Sequence, residues 1–152
     1  MTGKELLKTI KRERLQLEKL KKEHQEEERY FQLLHGVNYE NVHRSGGRVS
    51  TLDDVLERQE AEQERYIRRF ECVYSLYSDH LVRAWELVND STDEEAIPGL
   101  AYMIEYYSSG VTYEQLARGM PFTANYLRSL IKRAVKKFEE MYQARYPPET
   151  LD

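Results

Sequence analysis

The sequence predicts an all-α protein in which a long, coiled-coil-like N-terminal helical hairpin precedes a domain of shorter helices. Three observations predict it. The 152 residues hold only 7 Gly and 4 Pro, while Leu, Glu, Lys, Arg and Gln are common, a balance that favours helix over sheet. Two long segments carry apolar residues at alternating steps of four and three, the period of a helix face. Between Pro98 and Tyr146, helix-start and helix-stop signals recur at spacings that fit three further helices.

The first segment runs from about residue 3 to 35. Thr2 and Glu5 have the spacing of a capping box, which satisfies two orphan amides at a helix start. Leu6, Ile10, Leu17, Leu20, Phe31 and Leu34 follow the seam, and Glu13, His24 and Glu27 interrupt it, so the heptad pattern is broken in its middle. Residues 36–49 hold Gly36, Asn38, Asn41, Ser45, Gly46 and Gly47 and read as a loop. The second segment opens at Ser50-Thr51, with Asp53 and Asp54 placed where carboxylates favour the helix dipole. Leu52, Leu56, Gln59, Gln63, Tyr66, Phe70, Val73, Tyr77, His80 and Ala84 then step without a break. No Gly or Pro interrupts residues 51–90. A single helix over 51–88 is roughly 57 Å long at the standard rise, and the two segments suit an antiparallel pair. Asn89-Asp90-Ser91-Thr92-Asp93 marks a boundary, giving a hairpin over 1–90, a second domain over 91–145 and a tail over 146–152.

Composition excludes several function classes. No apolar run approaches the ~20 residues of a membrane span, and Met1-Thr2-Gly3-Lys4-Glu5 lacks the apolar core of a signal peptide. Cys72 is the only cysteine, so no internal disulfide forms, and a reducing cytoplasm is expected. Cys72 lies in an apolar stretch, is expected to be buried, and has no adjacent His or Lys to activate it. His24, His35, His43 and His80 show no paired metal spacing on a helix; His35 and His43 only flank the loop. The pairs Asp53-Asp54 and Glu94-Glu95 fall at helix starts, where the dipole accounts for them. No Gly-rich phosphate loop and no Ser/His/Asp order stands out. An enzyme is therefore not expected, nor is a cofactor or a metal. Of the 12 Tyr, Tyr66, Tyr74, Tyr77 and Tyr107 are expected in the core, and so many also suit a protein interface.

The net charge is −4, yet residues 111–145 hold seven basic side chains against three acidic ones. This basic part begins after a helix that presents Leu100, Met103, Ile104 and Tyr107, opens with Pro98 and ends at Ser108-Ser109-Gly110, with Gly110 suited to a left-handed cap. Thr112 and Gln115 form a second capping box ahead of a short helix with Leu116 and Ala117 inward. Gly119-Met120-Pro121-Phe122 is a turn, since Pro121 stops the short helix. Thr123 is the N-cap candidate for a last helix whose apolar face is Leu127, Leu130, Ile131, Ala134 and Phe138. This is the order of a helix-turn-helix DNA-binding domain, whose first helix crosses the DNA backbone while the second enters the major groove. Early polar residues of that second helix reach base edges. Arg128 can bond guanine bidentately and Asn125 adenine. Lys132, Arg133, Lys136 and Lys137 are placed for phosphates, which give affinity without sequence information. Thr123, Tyr126 and Ser129 complete the candidate DNA-binding set.

These residues resemble a family. Tyr106-Tyr107-Ser108-Ser109-Gly110-Val111-Thr112-Tyr113-Glu114-Gln115-Leu116-Ala117 is similar to the start of the promoter-reading region 4 of sigma-70-type factors. The run from Thr123 to Phe138 resembles that family's recognition helix. The resemblance covers about a quarter of the chain and implies base contacts at positions 124, 125, 128 and 129. Ala124 departs from the long polar residue usual there and is assigned no contact. The wider layout resembles phage-encoded proteins of low-GC Gram-positive bacteria such as the ArpU-type regulators of late phage genes. The sigma regions that bind core polymerase and melt promoters have no counterpart. The expectation is a phage or prophage transcription regulator in the host bacterial cytoplasm. It binds double-stranded DNA as a homodimer, with host RNA polymerase as a further partner. The alternative is a mobile-element interaction module that keeps the fold but grips a host protein, as an inhibitor or adaptor.

Overall fold

The computed structural model describes residues 1–35 and 52–147. Five helices are described: α1 Gly3–His35, α2 Leu52–Asn89, α3 Ile97–Ser109, α4 Tyr113–Ala117 and α5 Ala124–Arg145; there is no strand among the described residues. The loop expected at 36–49 lies outside the described residues, and so do His43 and the side chains of Leu34 and His35. Of the expected tail only Tyr146 and Pro147 are described, both non-helical.

Local signals set the helix starts. Thr2 Oγ1 accepts from the Glu5 amide at 3.2 Å, and Glu5 Oε2 accepts from the Thr2 amide at 3.0 Å. That reciprocal pair satisfies two donors that the first turn cannot bond internally. Asp53 and Asp54 occupy the first turn of α2, where their charge favours the positive helix end. The helix then runs 38 residues to Asn89, consistent with a stretch free of Gly and Pro.

The chain divides into two compact units. One comprises Met1–Leu15 with Ser75–Asp152, the other Gln16–Tyr74, so α1 and α2 each supply residues to both. The compact units thus part within the two long helices. In the first unit Leu6, Leu7, Ile10 and Ala84 are wholly buried, as are Leu100, Met103, Leu127 and Phe138, and Leu87, Val88, Ile104, Ile131 and Ala134 are nearly so. At Gly3, α1 lies close against α5: a Cβ there would lie 3.0 Å from Phe138 Cδ1 and 3.1 Å from the Glu139 Cα. The N-terminal helical turns therefore belong to the same core as α3 and α5.

The polar interruption at Glu13 has a physical account in this unit. Glu13 is buried, and its Oε2 lies 3.0 Å from Nδ1 of His80. A carboxylate on a buried seam is tolerated when an imidazole answers it.

In the second unit Leu17, Phe31 and Val55 are buried. His24 stacks on Tyr66 with ring centroids 3.9 Å apart and nearly parallel, and its Nε2 lies 3.1 Å from Glu28 Oε1. Tyr66, Phe70 and Tyr74 continue as a row of rings along α2 at 5.7 and 6.0 Å. Three expectations are corrected here. Cys72 is exposed, because it sits about 100° around the helix from Val73 and off the inward stripe. Tyr74 is half exposed rather than core, and Leu52 and Leu56 are exposed while Val55 is buried. A sequence seam spaced at 3.5 residues drifts around a helix of 3.6 per turn, so its ends leave the contact line.

Among the described residues no helix is long and apolar enough to cross a membrane.

Candidate nucleic-acid interface

The site is built from three helix boundaries. Pro98 lies in the first turn of α3, where the missing amide costs no bond, and Gly110 caps the far end at φ 71°. That left-handed conformation is one glycine adopts without strain. Thr112 then opens α4 with a complete capping box: its Oγ1 accepts from the Gln115 amide at 3.2 Å, and Gln115 Oε1 accepts from the Thr112 amide at 3.0 Å. After α4 the chain turns over residues 118–122, with the Met120 amide bonded to the Ala117 carbonyl at 3.1 Å. Pro121 has no amide with which to extend the helix. Thr123 caps α5, its hydroxyl accepting from the Tyr126 amide at 3.2 Å.

Both α3 and α4 pack on α5. Leu116 of α4 is buried, as are Leu127, Ile131, Ala134, Phe138 and Tyr142 of α5. Gly99 of α3 is buried too, and its missing side chain leaves ordinary contact distance to Leu130 and Ala134. At 100° per residue the buried set on α5 occupies one narrow sector, Asn125, Ser129, Lys132 and Lys136 lie roughly opposite it, and Arg128 stands between the two, beside the buried sector. All five of these are exposed. Arg133 also lies on the outward side, with Tyr126 beyond it, and both are exposed as well. Thr123 is exposed at its head, but its hydroxyl oxygen already serves the helix cap.

Charge separates the basic residues of α5 into two groups. Lys137 Nζ lies 3.9 Å from Asp93, and Arg145 pairs with Asp90. The Arg145 pKa is raised, first by that hydrogen bond. Lys132, Arg133 and Lys136 make no ion pair among the described residues.

Sequence reasoning missed the surroundings of Arg128. Its guanidinium lies over the ring of Tyr113, 5.1 Å from the centroid. Tyr113 stacks on Tyr106 at 4.3 Å with an interplanar angle of 6°, and Lys11 Nζ lies 5.3 Å from the centroid of the Tyr106 ring. One row thus joins α1, α3, α4 and α5. Burial, a hydrogen bond with Tyr106 and the neighbouring Tyr106 phenol push Tyr113 up to about 12, with the Arg128 charge pulling the other way. Tyr107 is also raised, chiefly by burial. The row was a weak signal in sequence, since the Tyr106–Tyr113 ring contact crosses the Gly110 break and follows no helical period.

No family model matches this chain, and no characterised protein or solved structure matches it either.

Proposed function

We propose that the protein is a phage or prophage transcription regulator that binds duplex DNA through a helix-turn-helix formed by α4 and α5. The observation that carries this reading is the two-sidedness of α5. One sector is sealed into the core, and the remainder presents Asn125, Ser129, Lys132 and Lys136 on its outward side and Arg128 at its edge to solvent. A helix with amide and guanidinium groups in its first turns and ammonium groups further along suits a major groove, with base edges read first and phosphates held by the rest. The experiment is selection from a random duplex pool, then competition with nonspecific DNA. An enriched motif is expected, with affinity for it falling about tenfold or more in Arg128→Ala. A folded protein that binds no duplex at low salt would sink the reading.

A homodimer is the accompanying proposal, and α2 motivates it. Leu52, Leu56 and Ile67 fall within one sector of the helix and are all exposed, an apolar stripe that a second copy would cover. Sedimentation equilibrium tests this: a dimer is expected, with Ile67→Glu shifting it to monomer. A wild-type monomer at tens of micromolar, a concentration that suits a weak dimer by affinity arithmetic, counts against it.

A further inference from the structure

We propose that Tyr113, braced by Tyr106, is a positioning residue that holds Arg128 in the orientation needed to read a base edge. The inference rests on the DNA-reading role of α5. An exposed arginine has many rotamers, and freezing them on binding costs affinity. A carboxylate partner would fix Arg128 but would occupy the donors that a guanine edge needs. A ring face fixes it through charge and stacking and leaves the planar fork available. Arg128 has such a face, at 5.1 Å, and no carboxylate partner among the described residues. The seat is itself held in place. Tyr113 follows the Thr112 cap directly, its ring lies flat on Tyr106 at 4.3 Å, and Lys11 covers the Tyr106 ring at 5.3 Å. Tyr106 stands on α3, which packs on α5, so seat and reader share one core.

A lysine at position 128 would keep the charge but lose the planar group that stacks. The ring of Tyr113 matters in this account and its hydroxyl does not, which separates it from a general packing role.

The test compares affinity for the selected duplex with affinity for a scrambled one. Tyr113→Phe is expected to keep the ratio within about 2-fold, and Tyr113→Leu to lower it about 3- to 10-fold. In an Arg128→Ala background, Tyr113→Leu is expected to do nothing further. In the free protein, Arg128 side-chain proton resonances are expected upfield from the ring current and return to ordinary values in Tyr113→Leu. If thermal melts show Tyr113→Leu unfolded, Tyr106→Leu removes the brace with Tyr113 in place, and the same coupling to Arg128 is expected. Three results overturn the proposal: equal losses with and without Arg128, a Tyr113→Phe protein as impaired as Tyr113→Leu, or a wild-type Arg128 without the upfield shift. A folded wild-type protein that selects no duplex overturns the DNA-reading role and this inference together. Selection with additive variants overturns only the inference.

Discussion

Glu13 and His80 stand 67 residues apart in sequence and meet at 3.0 Å, with the glutamate side chain 8% and the imidazole 19% exposed. Removing one partner leaves the other partly desolvated and unanswered, whereas replacing both by apolar groups removes the burden altogether. Glu13→Ala is therefore expected to cost about 1–3 kcal/mol, and Glu13→Leu with His80→Leu to recover most of it. Urea melts of wild type, Glu13→Ala, the single variants Glu13→Leu and His80→Leu, and the double variant check this; additive losses in the two leucine singles would show that the two side chains are not coupled. Tyr113 makes the residue scale sensitive to pH. Its folded pKa, about 12, lies above the ordinary 10, so the fold favours the neutral phenol. The stabilisation is complete below the unfolded pKa and is lost as pH rises through the folded one. Stability is expected to fall between pH 10 and 12, and Tyr113→Phe to flatten that fall. Denaturant midpoints across the window, alongside phenolate absorbance, decide it; an unchanged slope in Tyr113→Phe would assign the fall to other groups.

At the scale of elements, the first turns of α1 are structural parts of the unit that holds α3, α4 and α5. Gly3 faces the Glu139 backbone at a distance where a Cβ has almost no room. Alanine would gain helix propensity of up to about 1 kcal/mol, but a branched side chain meets both Phe138 and backbone that cannot yield. Gly3→Val is expected to destabilise by about 1–3 kcal/mol through overpacking, read as a lowered thermal midpoint; a midpoint at or above wild type would mean the α1 terminus lifts away freely. Helix existence and ends were legible in the sequence because their causes are local. The Thr2 and Thr112 boxes, the Thr123 cap, Gly110 and Pro121 each act within four residues. The outward strip of α5 was legible for the same reason, since it is the complement of Leu127, Ile131, Ala134 and Phe138 on one helix. Contacts between distant residues were not. Glu13 looked like a flaw in a seam until His80 answered it, and nothing in its neighbours names that partner. Tyr113 read only as a residue after a cap, since its stacking on Tyr106 crosses the Gly110 break. Cys72 was misplaced because an apolar neighbourhood in sequence says little about which side of a helix faces inward.

For the molecule as a whole, a chain of net charge −4 binds a polyanion only if its basic charge is local and unspent. The link between α2 and α3 bears on this directly. Asp90 and Asp93 engage Arg145 and Lys137, so the end of α5 is neutralised from within, and Lys132, Arg133 and Lys136 remain without ion pairs among the described residues. Each phosphate contact releases counterions, and the slope of log affinity against log salt counts the contacts at about 0.9 per phosphate. Lys132→Gln, Arg133→Gln and Lys136→Gln are each expected to reduce that slope by about 1. Lys137→Gln and Arg145→Gln are expected to leave it unchanged, because those cations already have carboxylates beside them. Asp93→Asn turns the argument around: with its partner neutral, Lys137 becomes available and the slope should steepen toward one more contact. Measuring binding to one duplex over a range of salt for these six proteins separates the two groups. Equal slopes for all six would mean that α5 attracts DNA as a diffuse cloud of charge, and that the acidic link does not set which of its cations meet phosphate.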